Sequence, residues 1–217
     1  MQPDPRAAAI GPLAGPAVAE ELARAEMYGV LALLLQSPPS PETLQQLADA
    51  PTESAADDSI ASGAPLVEAW RELVAAARAR DPAQVADEYG ALFQGVGRPE
   101  VLLLGSHYLS GFLNDRPLAA LRDDLRDIGL ARAEQVFETE DHIAFLCEVM
   151  RYLIAGDDAE VANLERQRRF FRAHLQPWAQ RLGETIAVHP AAGFYAAVGR
   201  LLCTFMQVEA QGFDLLE

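Results

Sequence analysis

The chain is 217 residues long and half hydrophobic, with 17 Lys and Arg against 32 Asp and Glu, a formal net charge of −15. That length suits one large domain or two small ones, and the apolar half is enough for a core. The negative field repels phosphate backbones and favours basic partners, which argues against nucleic acid as a ligand. Two cysteines, Cys147 and Cys203, fall in apolar helical stretches, the usual setting of buried reduced thiols in a cytoplasmic protein. No basic segment followed by an apolar one opens the sequence, and the apolar run 30–35 stops at Gln36, far short of the roughly 20 residues of a membrane span. The expectation is a chain that is neither exported by a visible signal nor inserted in a membrane.

Residues 1–17 are rich in Pro, Ala and Gly and read as a mobile tail, with the folded domain over 18–217. From 18 to 36, Leu22, Ala25, Tyr28 or Gly29, Ala32 and Leu35 recur at steps of three and four, a helix with one buried stripe. The SPPSP run at 37–41 ends it. Ser40 is an N-cap and Pro41 a first helical residue for a short helix to about 50. Residues 51–63 are small, acidic and unpatterned, an exposed loop. Leu66, Trp70, Leu73, Val74 and Ala77 form a further stripe, and Asp81-Pro82 opens a helix carrying Val85, Tyr89, Leu92 and Phe93.

Residues 94–105 read as a loop with an apolar plug, followed by a helix over 107–113. Pro117 opens another, with Leu118, Leu121, Leu125 and Ile128 on one face and Gly129 as its stop. After a connector at 129–138, a helix is expected from Thr139 through Ile143, Met150 and Leu153, with Glu140 and Asp141 in its first turn, where carboxylates suit the dipole. Gly156 ends it. Asp157 or Asp158 starts the next, which runs to Leu175, and Pro177 marks a kink or a fresh start toward Ile186. His189-Pro190 breaks that segment before a last helix carrying Phe194, Tyr195, Val198, Leu201, Leu202, Phe205 and Met206. No period-two alternation survives, so the fold class is all-α, a single-domain bundle of roughly nine or ten helices.

Standard chemical signatures are missing. Gly95 and Gly97 lack the spacing and lysine of a phosphate cradle. His107, His142, His174 and His189 show no metalloprotease pair at i, i+4, and Glu138 with His142 has the wrong, unrepeated spacing for a di-iron bundle. A metal-free protein is expected. Ser106-His107 has no elbow or partnered acid. What remains is the cluster Glu138, Glu140, Asp141 and His142, titratable groups set against an apolar run. Asp141 and His142 as an acid-base pair give an alternative reading, a small-molecule or nucleotide-binding helical protein or enzyme. The reading of these residues as a helix cap with dipole complements stands beside it.

Tyr89, Leu92 and Phe93 with Gly95 and Gly97, then Ser106, Tyr108, Gly129 and the stretch ETEDHIAFLCEVM at 138–150, resemble the TorD/DmsD/NarJ family of redox-enzyme maturation chaperones. Tyr28, the SPPSP break and QRRFFRAHLQPW at 167–178 extend the resemblance over about 20–210. The family signature is Glu-Pro-x-Asp-His. Thr139 stands here in place of its proline, whereas Glu138, Asp141 and His142 match.

The resemblance implies a TorD-like all-helical cytoplasmic chaperone, not an enzyme. Its partner would be the twin-arginine signal peptide on the apo-form of a molybdoenzyme catalytic subunit, held until cofactor insertion is complete. The segment 95–112 and the PLAALRDDL helix look closest to the branch associated with formate dehydrogenase. Weak guanine-nucleotide binding and helix-exchanged dimers are linked to some members, which leaves monomer and homodimer both open. Two arginines beside an apolar stretch call for carboxylates beside a greasy groove, since guanidinium pairs bidentately with carboxylate. Glu138, Glu140, Asp141 and His142 are therefore the expected peptide site, with Tyr89, Phe93, Ser106 and Tyr108 as further lining. Aromatics at helical spacing also suit a core. Arg166, Arg168, Arg169 and Arg172 read as a solvated face paired to residues such as Glu165, with contact to an acidic region of a client as the functional alternative.

Overall fold

The computed structural model describes residues 16–52, 64–95, 97, 99–113, 115–132, 138–156, 158 and 160–215. The expected tail therefore lies almost wholly outside the described residues, as do most of the loop 51–63 and positions 133–137 of the connector. Among the described residues there are ten α-helices and no strand: α1 Pro16–Gln36, α2 Pro41–Ala48, α3 Ala64–Arg78, α4 Pro82–Phe93, α5 Gly105–Ser110, α6 Arg116–Asp127, α7 Ile143–Ala155, α8 Leu164–His174, α9 Ala179–Ala187 and α10 Phe194–Asp214. The all-α class holds.

Local capping chemistry sets several of these boundaries. Ser40 accepts from the Thr43 amide ahead of Pro41, and Asp81 with Gln84 forms a reciprocal capping box ahead of Pro82. Other boundaries depart from the local pattern. The helix expected from Thr139 begins at Ile143 with His142 as its N-cap, so Glu140 and Asp141 precede it instead of filling its first turn. The helix expected from Asp157 or Asp158 begins at Leu164 behind Asn163. Asp158 instead closes a separate turn, its carbonyl accepting from Val161 and Ala162. Leu22, counted in the buried stripe of α1, is 55% exposed, because Ala25, Tyr28, Leu31, Ala32 and Leu35 face inward. Cys147 is buried, but Cys203 is only half-buried.

Helices α1 and α7 pack antiparallel along their lengths. Gln36 of α1 shares a cavity wall with His142, and Gly29 one turn or more back lies against the Arg151 side chain. The C-terminal pair α9 and α10 approach through glycines. A Cβ on Gly199 would sit 2.7 Å from the Ala187 nitrogen and the Gly183 oxygen, so no side chain fits between the two backbones.

Two polar clusters hold the bundle at long range. Arg24 donates to both oxygens of Glu209 at 2.7 and 2.8 Å, Tyr28 donates to the same carboxylate at 2.9 Å, and Arg24 also reaches Gln167 at 3.1 Å, which ties α1 to α8 and α10. Glu209 itself is 4% exposed. The start of α10 has no side-chain cap of its own. Glu88 of α4 supplies one, accepting from the amides of Gly193, Phe194 and Tyr195 at 2.7, 3.1 and 2.7 Å. Four orphan amides open every helix, and this single carboxylate answers three of the groups at this end.

Tyr89 is a core residue with a polar duty. Its hydroxyl donates to the Leu35 and Gln36 carbonyls at 3.2 and 3.0 Å, closing the C-terminal end of α1, while its ring meets Phe93 and Tyr195. Burial, reinforced by the Glu138 charge, pushes its phenol up to about 12. Tyr89→Phe keeps the ring contacts and removes the donor, so a loss of about 1 kcal/mol is expected in a urea titration. No change would mean that water serves those carbonyls equally well.

Candidate functional site

The segment 138–142 is a turn strapped to a distant part of the chain. Gly105 N–H donates to the Asp141 carbonyl and Ile143 N–H to the Leu103 carbonyl, each at 2.9 Å, making an isolated antiparallel bridge between Leu104 and His142. The side chain of Asp141, 3% exposed, then reaches into the start of α5. One oxygen accepts from the Ser106 amide at 2.8 Å and the other from the Thr139 hydroxyl. This carboxylate caps a helix that lacks a cap of its own.

His142 turns back on α7. Its Nδ1 accepts from the Ala144 amide at 3.3 Å, which requires that nitrogen to be unprotonated. Burial lowers its pKa, and the charges of Glu138 and Asp141 only partly oppose that, so the imidazole is neutral at pH 7. Glu140 is also engaged. Arg122 bonds it at 2.8 Å and Arg132 stands 3.7 Å away. Burial is the largest influence and works to raise the Glu140 pKa, but the Arg122 hydrogen bond, a backbone hydrogen bond and the charges of Arg122 and Arg132 together outweigh it, and the net shift is downward.

Of the four clustered residues, Glu138 alone is exposed. It stands on the rim of a groove of about 430 Å³ between α1 and α7. The apolar wall comes from Ala32 and Leu33 of α1 and Ala144 and Phe145 of α7, with Thr139 and His142 at one end. Leu33 is 51% exposed there. Glu148 faces the same groove from α7, held by Arg151, which donates to both its oxygens at 3.1 and 3.2 Å. Gly29 forms part of the floor, and the Arg151 side chain lies over it. A glycine inside a helix costs about 1 kcal/mol relative to alanine, and at this position a Cβ would come within 3.4 Å of the Arg151 Cδ.

The other expected lining residues lie elsewhere. Tyr89 and Phe93 are core side chains outside the groove wall. Ser106 is buried at the start of α5, and Tyr108 is half-buried beside it, stacked on Trp178 with centroids 5.4 Å apart and with the Arg181 guanidinium 5.1 Å from its ring centroid. Trp178 donates to the His174 carbonyl at 2.6 Å, and His174 bonds Asp124 at 2.7 Å. The motif elements at 105–108, 141 and 174–178 thus converge on one packed knot behind the groove. The expected arginine patch is partly as anticipated, with Arg168 paired to Glu165. Arg169 and Arg172 instead reach Asp124 of α6 and Asp214 of α10. Sequence reasoning missed Glu148 and Leu33. Glu148 lies three residues beyond Phe145, on the same face of α7, and that spacing was its only local signal.

Comparison with known proteins shows the family. Residues 61–184 match the family described as nitrate reductase delta subunit. The chain is similar to the chaperone protein TorD of Aliivibrio fischeri, 30% identical over 210 residues that cover 87% of this chain and 93% of the relative. It is also similar to TorD of Photobacterium profundum, 29% identical over 154 residues (66% and 71% of the two chains), and of Vibrio cholerae, 28% identical over 140 residues (61% and 64%).

Proposed function

Because the chain belongs to the TorD/DmsD/NarJ family of redox-enzyme maturation chaperones, we propose that it is a cytoplasmic, system-specific chaperone that binds the twin-arginine signal peptide of a molybdenum-cofactor oxidoreductase in the groove between α1 and α7. The observation that carries the reading is the pairing of an exposed apolar wall, Leu33 with Phe145, with carboxylates at Glu138 and Glu148. An apolar peptide stretch buries against the wall while a guanidinium finds a carboxylate, the combination that a signal peptide offers. Within this reading Asp141 and His142 position the turn, and Glu138 faces the ligand. Formate dehydrogenase is the proposed client and no cofactor is assigned.

The acid-base alternative has weaker support, because one Asp141 oxygen and the His142 Nδ1 accept from backbone amides and the other Asp141 oxygen accepts from the Thr139 hydroxyl. The two readings part in a calorimetric titration with a twin-arginine peptide. The chaperone reading gives saturable binding of roughly micromolar strength, about −8 kcal/mol. Glu138→Gln should weaken it about tenfold and Gly29→Leu, which fills the groove floor, should abolish it, with the circular dichroism of both variants unchanged. Unaltered affinity in both would move the site away from this groove. Weak guanine-nucleotide binding is tested by repeating the titration with GTP, and the client by whether formate dehydrogenase activity is lost when the chaperone is deleted.

A further inference from the structure

The floor of the α1/α7 groove carries a cation of the chain's own. Among the described residues that line it, Arg151 is the one basic side chain, set against the carboxylates of Glu138 and Glu148. A Cβ on Gly29 would stand 3.4 Å from its Cδ, 3.6 Å from its Nη1 and 3.9 Å from its Nε, so the side chain passes over the space that a residue larger than glycine would fill. From there one nitrogen, Nη1, donates to both Glu148 oxygens, at 3.1 and 3.2 Å. Both side chains are half-exposed, at 52% each. An exposed pair three residues apart on a helix contributes little to stability, so this contact opens at small cost.

We propose that Arg151 is an internal surrogate for the client's arginine, a specificity residue that occupies Glu148 and yields it to an incoming guanidinium. The inference rests on the reading of this groove as the signal-peptide site. One cation replaces another on the same carboxylate, so Glu148 keeps a partner as the peptide displaces water around it. The newcomer has the better geometry within reach, since a guanidinium can set two parallel N–H groups on the two oxygens where Arg151 spends a single nitrogen. Once displaced, Arg151 also clears the floor over Gly29. An apolar segment without arginine has nothing to offer in exchange: clearing the same floor leaves Glu148 unpaired, and that penalty discriminates against it.

Titrations of a twin-arginine peptide at low ionic strength test the exchange on four full-length proteins: the parent, Arg151→Met, Glu148→Gln and the double variant. Both positions are exposed on α7, and methionine keeps an unbranched stem and a good helix propensity. Arg151→Met should tighten binding about two- to threefold, because the peptide no longer competes for Glu148. The gain should vanish in the Glu148→Gln background, where no carboxylate is left to release. A gain that persists there would belong to the general field of the removed charge and would overturn the proposal, as would unchanged or weaker binding by Arg151→Met. A second readout follows Arg151 itself. Its Nε–H NMR signal, assigned by its loss in Arg151→Met, should move on peptide addition toward its position in Glu148→Gln; a signal that stays in place at saturation rejects the exchange. The two readings fail differently. Saturable binding to the parent without either Arg151 effect removes the exchange alone, whereas no binding to the parent or to Arg151→Met removes the signal-peptide reading and the exchange with it.

Discussion

Asp141→Ala should lower the unfolding free energy by about 3 kcal/mol and weaken peptide binding together. The carboxylate is buried and takes two donors, the Ser106 amide and the Thr139 hydroxyl. Truncation strands both in a place that water reaches poorly, and a lost hydrogen bond to a charged group is worth about 1.5–3 kcal/mol. The amide belongs to the first turn of α5 and the hydroxyl to the turn beside Glu138, so the loss loosens the segment that sets the groove's acidic rim. Asp141→Asn is the separating variant. Its amide oxygen still accepts from Ser106, and its NH₂ can donate to Thr139 once that hydroxyl turns, so its stability loss should be under half that of the alanine. Urea unfolding and peptide titration on the same samples measure both effects. If Asp141→Ala were as stable as the parent, the capping role assigned here would be wrong.

A larger loss is expected at Glu209, far from the groove. Glu209→Ala removes the acceptor of Arg24 and of Tyr28 at once, and breaking a buried ion pair from one side costs about 3–5 kcal/mol because the remaining charge is left uncompensated. For a domain of this size that corresponds to a fall in melting temperature of about 10 °C. The double variant Glu209→Leu/Arg24→Met should recover much of the loss, since replacing a buried pair by apolar groups of similar volume is often neutral. Thermal unfolding of the single and double variants decides it. A single variant as unstable as the double would show that the carboxylate, and not the abandoned guanidinium, carries the effect. Peptide affinity at temperatures where all are folded should be unchanged, because Glu209 lies outside the groove.

What sequence can convey here is the part of the structure written within about four residues. Ser40 with Pro41 and Asp81 with Pro82 are complete local instructions, and both helices start where these residues place them. Thr139, Glu140 and Asp141 resemble the same instruction, yet α7 begins later, because Asp141 is drawn off by Ser106, 35 residues away, and Glu140 by Arg122, 18 residues away. Asp158 misleads in the opposite way, satisfying a turn locally while Asn163 caps the helix. The candidate site divides along the same line. Glu138 sits in a legible acidic cluster, whereas Leu33 and Glu148 meet only because α1 and α7 run antiparallel, a fact that no window on either helix contains. Glu88 and Glu209 are likewise silent in sequence, since their partners stand more than 100 residues away.

The Glu88 cap makes the last helix conditional on an early one. An α10 formed alone would begin with exposed amides, and it gains their acceptor only when α4 is already docked. Fraying at its first turn therefore breaks contacts with α4 as well as within α10. In hydrogen exchange the amides of Gly193, Phe194 and Tyr195 should lose protection when α4 is loosened as well as when α10 itself frays. During synthesis α4 emerges long before α10, so its carboxylate waits on the surface of an unfinished bundle until the final segment arrives to close it.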